Sequence, residues 1–278
     1  MYSKDKIFAV CDEIVDGSRD IKPYVVICQP RRDIEEVPAQ SLDGHSIHID
    51  LCGYSHGFGN IGGEKVDSAR NYLIEEAIKS EAKYLFFIGE DTVIPWDGFR
   101  QLHETAEKNP DAMVCGVYYI KLSSPMIMIK DGDYVVPANV DPGQVYEAWQ
   151  TGLDAALIPI KLLKQMKESD PEIPMCCIAV NGQGWTPSDP TLTPQKAPFI
   201  GEDNFFVHRW RKMGFRLLVN TDVQCLHMDL ASGDYTAHPS IKKTDYMTNI
   251  PIRNPLTMEN KKFLDERYVR PLGKNGGE

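Results

Sequence analysis

The chain has 278 residues, 42% hydrophobic and 25% charged, and its 30 basic against 40 acidic side chains leave a formal charge of −10. That length holds one large α/β domain or two small ones around a sizeable core. The acidic balance excludes a broad basic surface for nucleic-acid backbone, though not a local basic groove. Seven scattered cysteines, several inside apolar runs, fit reduced buried thiols in a cytoplasmic protein better than a disulfide framework. With no signal-peptide-like start and no apolar run of membrane-spanning length, a soluble chain is expected.

Residues 1–22 read as a charged extension before the fold proper. Tyr24 to Cys28 (YVVIC) predicts a first buried strand, stopped by the polar, basic Gln29-Pro30-Arg31-Arg32. A loop of that kind at a strand's carboxyl end suits a nucleobase or phosphate, and equally suits plain solvent. Ser46 to Leu51 alternates like a half-exposed strand. The glycine-rich Gly53 to Gly63 matches no phosphate-binding fingerprint and is expected to be a mobile loop near the site. Lys65 to Ser80 carries Val66, Ala69, Leu73, Ala77 and Ile78 on one stripe, an amphipathic helix with Arg70 and Asn71 in its early turns.

The helix leads into Tyr84 to Ile88, five apolar residues that fit a strand buried on both faces. It ends abruptly in Gly89-Glu90-Asp91-Thr92. Ligands of open α/β sheets bind beyond the carboxyl ends of strands, and carboxylate oxygens there suit Mg²⁺ or Mn²⁺ better than zinc. A solvated acidic turn is the plainer alternative. A helix after Pro95 and a buried strand over Ala112 to Ile120 follow. Lys121 to Ala148 is turn-rich, with a small hairpin over the sheet edge.

Gly152 to Ile160 is apolar with Pro159 near a helix start, and Lys161 to Lys167 continues that helix. Asn181 to Pro198, with four prolines, two glycines and Trp185, has the composition of a loop that orders over a ligand, Trp185 offering a flat face to a sugar or base. Gly201-Glu202-Asp203 then opens a helix closed by Gly214. Phe215 to Val219 and Val223 to Leu226 read as closing strands, with His227 directly after them. Residues 255–270 read as a last amphipathic helix.

Taken in order, Ala69-Arg70-Asn71, FFIGEDTVIP, GVYYIK, the segment beginning at Gly152, Gly201-Glu202-Asp203 and Cys225-x-His227 resemble the GT-A glycosyltransferases of the family-two type and their virus-encoded relatives. The resemblance spans about residues 23–230. It implies a single GT-A-like, Rossmann-related α/β domain with a mixed, mostly parallel central sheet flanked by helices, followed by a C-terminal segment over 231–278. It implies transfer of a sugar from a nucleotide-diphosphate sugar, most often a UDP-sugar, to a hydroxyl on a glycan, protein, lipid or modified DNA base, in the host cytoplasm if the chain is virus-encoded. In such enzymes the strand end reads DxD. Gly89 stands where the first Asp belongs, while the metal-binding role maps onto Asp91, with His227 completing the site around Mn²⁺ or Mg²⁺. Arg70, Asn71, Glu90, Gln29 and Arg31 then fall to the donor nucleotide, Asp203 or Glu202 to acceptor activation, and Trp185 and Gly152 to the acceptor.

Two other readings use the same residues. A sugar nucleotidyltransferase also combines an α/β sheet with a carboxylate-held metal, but needs a glycine-rich basic signature after its first strand, and QPRRD has no glycine. A non-catalytic nucleotide- or carbohydrate-binding module is the other. Zinc on Cys176, Cys177, Cys225 and His227 fits poorly, because adjacent cysteines lack the usual ligand spacing.

Overall fold

The computed structural model describes residues 22–31, 49, 52–95, 97–119, 125–131, 134–137, 141–180, 199–228, 235–236 and 252–253. In chain order the elements begin β1 (Val25–Arg31), β2 (His56–Gly62), α1 (Val66–Lys79), β3 (Tyr84–Ile88), β4 (Thr92–Val93), α2 (Gly98–Lys108) and β5 (Ala112–Val117). They continue β6 (Ile127–Asp131), β7 (Tyr134–Pro137), β8 (Val145–Glu147), β9 (Gln150–Thr151), β10 (Ala155–Pro159) and α3 (Ile160–Ser169). The last are β11 (Ala179–Val180), β12 (Phe199–Ile200), α4 (Glu202–Lys212), β13 (Arg216–Gln224), β14 (Leu226–Met228), β15 (Tyr235–Thr236) and β16 (Ile252–Arg253).

Seven strands form the central sheet in the order β2-β1-β3-β10-β5-β13-β8. β2, β1 and β3 run parallel, as do β5 and β13, while β10 lies antiparallel between β3 and β5 and β8 is antiparallel to β13. This is a mixed, mainly parallel α/β sheet. Successive residues of each strand point to opposite faces, and both faces are apolar. Val26, Cys28, Leu85, Phe87, Met113 and Cys115 pack with Leu73 of α1, Leu163 of α3 and Trp210 of α4. Their neighbours Val25, Ile27, Phe86, Ile88 and Val114 pack with Phe99 and Leu102 of α2. Burial on both faces explains why β3 and β5 read as unbroken apolar runs.

Several sequence expectations change. The glycine-rich segment is no loop: His56 to Gly62 pairs residue for residue with β1 as an edge strand. Gly59 lets the strand pack closely on α1, since a Cβ there would lie 3.2 Å from Leu73 Cδ2. β1 also runs on through Gln29-Pro30-Arg31. These three residues pair only with β2, β3 having ended its pairing at Cys28, so the missing N–H of Pro30 falls where it costs least. Of the span 46–51 only Ile49 is described. It is buried and helical, and its carbonyl accepts hydrogen bonds from the backbone N–H groups of Cys52 and Tyr54.

The segment after Gly152 supplies β10, a strand, before its helix begins. Five apolar residues ending in proline carry no periodicity that separates strand from helix, and the sheet position decides. The two closing strands divide later than expected: β13 runs on to Gln224 with an irregularity between Asn220 and Gln224, and β14 holds His227 inside a strand and not after one. Residues 1–21, Asn181 to Pro198 and 255–270 lie outside the described residues. No helix among the described residues is long and apolar enough to cross a membrane.

Candidate active site

The sheet gathers polar side chains at one edge. β3 delivers Gly89, Glu90 and Asp91 there, and the antiparallel β10 starts at the same edge, directly after Asp154. The backbone N–H of Gly89 donates to the Asp154 carbonyl at 2.9 Å. After Asp91 the chain forms β4, which pairs antiparallel with β14 so that His227 faces Thr92. That short ladder sets the imidazole Nε2 of His227 3.5 Å from Asp91 Oδ2. One ligand atom each from Asp91, Asp154 and His227 lie within 4.8 Å of one another. Among the described residues the cysteine thiols join no such group.

Asp154 had no signal in the sequence, where it is a lone acid at the mouth of an apolar run. The structure gives its place a reason. A Cβ on Gly89 would lie 2.8 Å from Asp154 Cγ, 2.9 Å from its Cβ and 2.9 Å from Thr92 Oγ1. The side-chain space of position 89 is therefore filled by the carboxylate of Asp154. Where the resembling motif carries an acid at the first position, this chain has a glycine there and an acid reaching in from the adjacent strand.

Arg70, on the second turn of α1 and only 3% exposed, ties this group to the start of α4. Its Nη2 donates to Asp154 Oδ1 at 2.8 Å and its Nη1 to Glu202 Oε1 at 2.8 Å and to Asp203. The guanidinium also sits 5.8 Å from the Phe87 ring centroid. One cation thus faces three carboxylates, with Asp91 close by. Burial disfavours the ionised Asp203, Arg70 partly offsets this, and Asp154 and Glu202 add repulsion, so its carboxyl is pushed up to about 7. For Arg70 burial acts against the charge, but Asp203, Asp154 and Glu202 outweigh it and hold the guanidinium protonated.

The other sequence candidates fall around this centre. Asn71 clamps the backbone of Cys176, its Nδ2 donating to the carbonyl at 2.7 Å and its Oδ1 accepting from the N–H at 2.8 Å. Asp67 Oδ2 accepts from the Ile178 N–H at 3.2 Å. The first turns of α1 therefore fix the strand that leads into 181–198. Gln29 is buried at the end of β1, its Nε2 3.5 Å from the Gly89 carbonyl, and Glu90 is half-buried beside Asp91. Arg31 ends β1, but its side chain and all of Trp185 lie outside the described residues. Gly152 sits under the phenol of Tyr118, a buried residue just past β5 whose hydroxyl is held well above its ordinary pKa by burial, with Asp154 and Asp203 adding to the effect. Sequence reasoning passed over Tyr118 because it reads as the end of an apolar strand.

No protein-family model matches the chain, and no curated protein matches it. Solved structures do. A197 from STIV is 16% identical, with 74% of this chain and 85% of that one covered at a TM-score of 0.48. GalNAc-T7, solved with UDP, GalNAc and Mn²⁺, is 10% identical over 87% of this chain at a TM-score of 0.44, and the match spans about half of that protein, 48%. A protein assigned as a glucose-1-phosphate thymidylyltransferase from Bacillus anthracis, in complex with sucrose, is 10% identical over 73% of this chain and 88% of that one, with a TM-score of 0.39. At these similarities the geometry of the site has to carry the functional argument by itself.

Proposed function

We propose that the chain is a divalent-metal-dependent glycosyltransferase that moves a sugar from a nucleoside-diphosphate sugar, a UDP-sugar foremost, onto a hydroxyl acceptor. The observation that carries this reading is the pairing of two functions at one sheet edge. Asp91, Asp154 and His227 form a hard-ligand group, and Arg70 links it to a carboxylate pair at the start of α4. Two carboxylates and an imidazole are a donor set suited to Mn²⁺ or Mg²⁺, and the closeness of Asp91 to Asp154 is repulsive without a cation. When bound, such an ion supplies neutralisation of the charge that grows on the leaving diphosphate.

The protein's own groups supply the rest. In the transfer, the bond between the anomeric carbon and the β-phosphate oxygen breaks and its electron pair leaves with the nucleoside diphosphate. The acceptor oxygen forms the new bond to the anomeric carbon, and its proton passes to Asp203. A carboxylate with its pKa near 7 is well matched to that task at neutral pH. Arg70 holds Asp203 and Glu202 in register with Asp154, so donor site and base are positioned by one side chain. The test is Asp203→Asn. It should abolish transfer to a hydroxyl acceptor while leaving calorimetric binding of UDP with Mn²⁺ within about threefold of the parent, because the diphosphate contacts lie elsewhere. Equal transfer rates at saturating donor would remove Asp203 from the mechanism.

A further inference from the structure

Tyr118 occupies an unusual position. The backbone turns out of β5 at this residue, and the phenol runs to the middle of the site, with its ring centroid 5.4 Å from that of His227. A Cβ on Gly152 would lie 1.7 Å from the Tyr118 hydroxyl oxygen and 2.7 Å from Cζ. Any side chain at position 152 would push the hydroxyl away, so the glycine two residues before Asp154 keeps it in place. Asp154, Asp203, Arg70 and Asp91 all lie close enough to act on it electrostatically. Among the described residues the hydroxyl makes no hydrogen bond, although a phenol in a packed site ordinarily finds a partner. It is a donor beside the metal-ligand group with no acceptor among the described residues.

We propose that the Tyr118 hydroxyl binds the donor by giving a hydrogen bond to a phosphate oxygen of the diphosphate. This rests on the glycosyltransferase reading above and extends it. The surrounding charge makes the choice. Asp154, Glu202 and Asp203 already engage the single guanidinium of Arg70, and Asp91 lies beside Asp154. A diphosphate entering so acidic a pocket gains from every donor that adds no negative charge of its own, and a neutral phenol is such a donor. The ring packs beside His227 and Asp154 is the charged group acting most strongly on the hydroxyl, and both belong to the metal-ligand group.

Tyr118→Phe keeps the ring packing against His227 and removes only the donor. Calorimetry with Mn²⁺ present should show UDP and inorganic pyrophosphate each binding about ten- to a hundredfold more weakly. Affinity for Mn²⁺ alone and the melting temperature should stay close to those of the parent. Unchanged affinity for both ligands would overturn the proposal and leave the transferase reading standing. So would a loss confined to UDP, which would move the contact to the ribose or base. If the parent protein binds neither ligand with Mn²⁺, the transferase reading itself falls and this proposal falls with it. A matching loss of Mn²⁺ affinity would make Tyr118 a support for His227 and would also overturn it.

Discussion

Arg70→Met tests the arrangement on which the site depends. The substitution keeps the length and apolar contacts of the side chain and removes the guanidinium that joins Asp154, Glu202 and Asp203. These carboxylates are 19%, 16% and 19% exposed, too little for water to take over the cation's role. Breaking a buried ion pair by removing one partner costs about 3–5 kcal/mol. Here three acids lose one partner, but protonation of Asp203, already favoured, limits the damage, so a total of about 3–5 kcal/mol is the expectation. For a domain of this size that is roughly 6–20 °C in Tm. Thermal unfolding by circular dichroism at pH 8 reads it directly. The deficit should shrink toward pH 5 as the stranded carboxylates take up protons, and shrink again with Mn²⁺ at pH 8. A Tm within about 2 °C of the parent at pH 8, equivalent to under about 1 kcal/mol, would refute the claim that Arg70 holds the three acids.

Gly89→Ala should weaken Mn²⁺ binding by at least about tenfold with little loss of secondary structure, because its Cβ would push Asp154 out of the ligand group; Mn²⁺ titration followed by electron paramagnetic resonance checks this. At the far end of the sheet, Glu107 accepts hydrogen bonds from Lys83 Nζ at 2.6 Å and Tyr84 hydroxyl at 2.7 Å, and these hold its carboxyl at about 2. A depressed folded-state pKa stabilises above the ordinary carboxylate value and the benefit is lost as pH falls through the folded one. Glu107→Gln should therefore lower Tm at pH 7, with the gap closing between about pH 4.5 and 2. A gap that is constant with pH would show that the charge of Glu107 is irrelevant there.

What the sequence made legible was what lies along one strand or one helix. The apolar run of β3 and the acid at its end are contiguous, as are the stripe of α1 and the acids opening α4, so the elements that carry Asp91, Arg70, Glu202 and Asp203 could be placed from spacing alone. Asp154 and Tyr118 could not. Each belongs to the site only because β10 runs antiparallel between β3 and β5, and that strand order is a property of the whole sheet. Gly89 and Gly152 mislead for the same reason. Read along the chain they are a missing acid and the start of an apolar segment, yet in space each is glycine because a side chain from elsewhere fills its place. The β2 segment was hidden by composition, since glycine lowers strand propensity while Gly59 suits the close approach to Leu73.

The proposed reaction is metal-assisted cleavage of a nucleotide sugar at Asp91, Asp154 and His227. The most direct measurement is release of nucleoside diphosphate from a panel of nucleotide sugars, UDP-sugars included, with Mn²⁺, after chelation by EDTA, and after Mn²⁺ is returned, in the parent chain and in Asp91→Asn. We expect release that stops with EDTA, recovers with Mn²⁺ and falls by at least about a hundredfold in a folded Asp91→Asn protein. Release at full rate in excess EDTA, or in Asp91→Asn, would contradict it, as would no release from any sugar nucleotide tested in the presence of a broad set of hydroxyl acceptors.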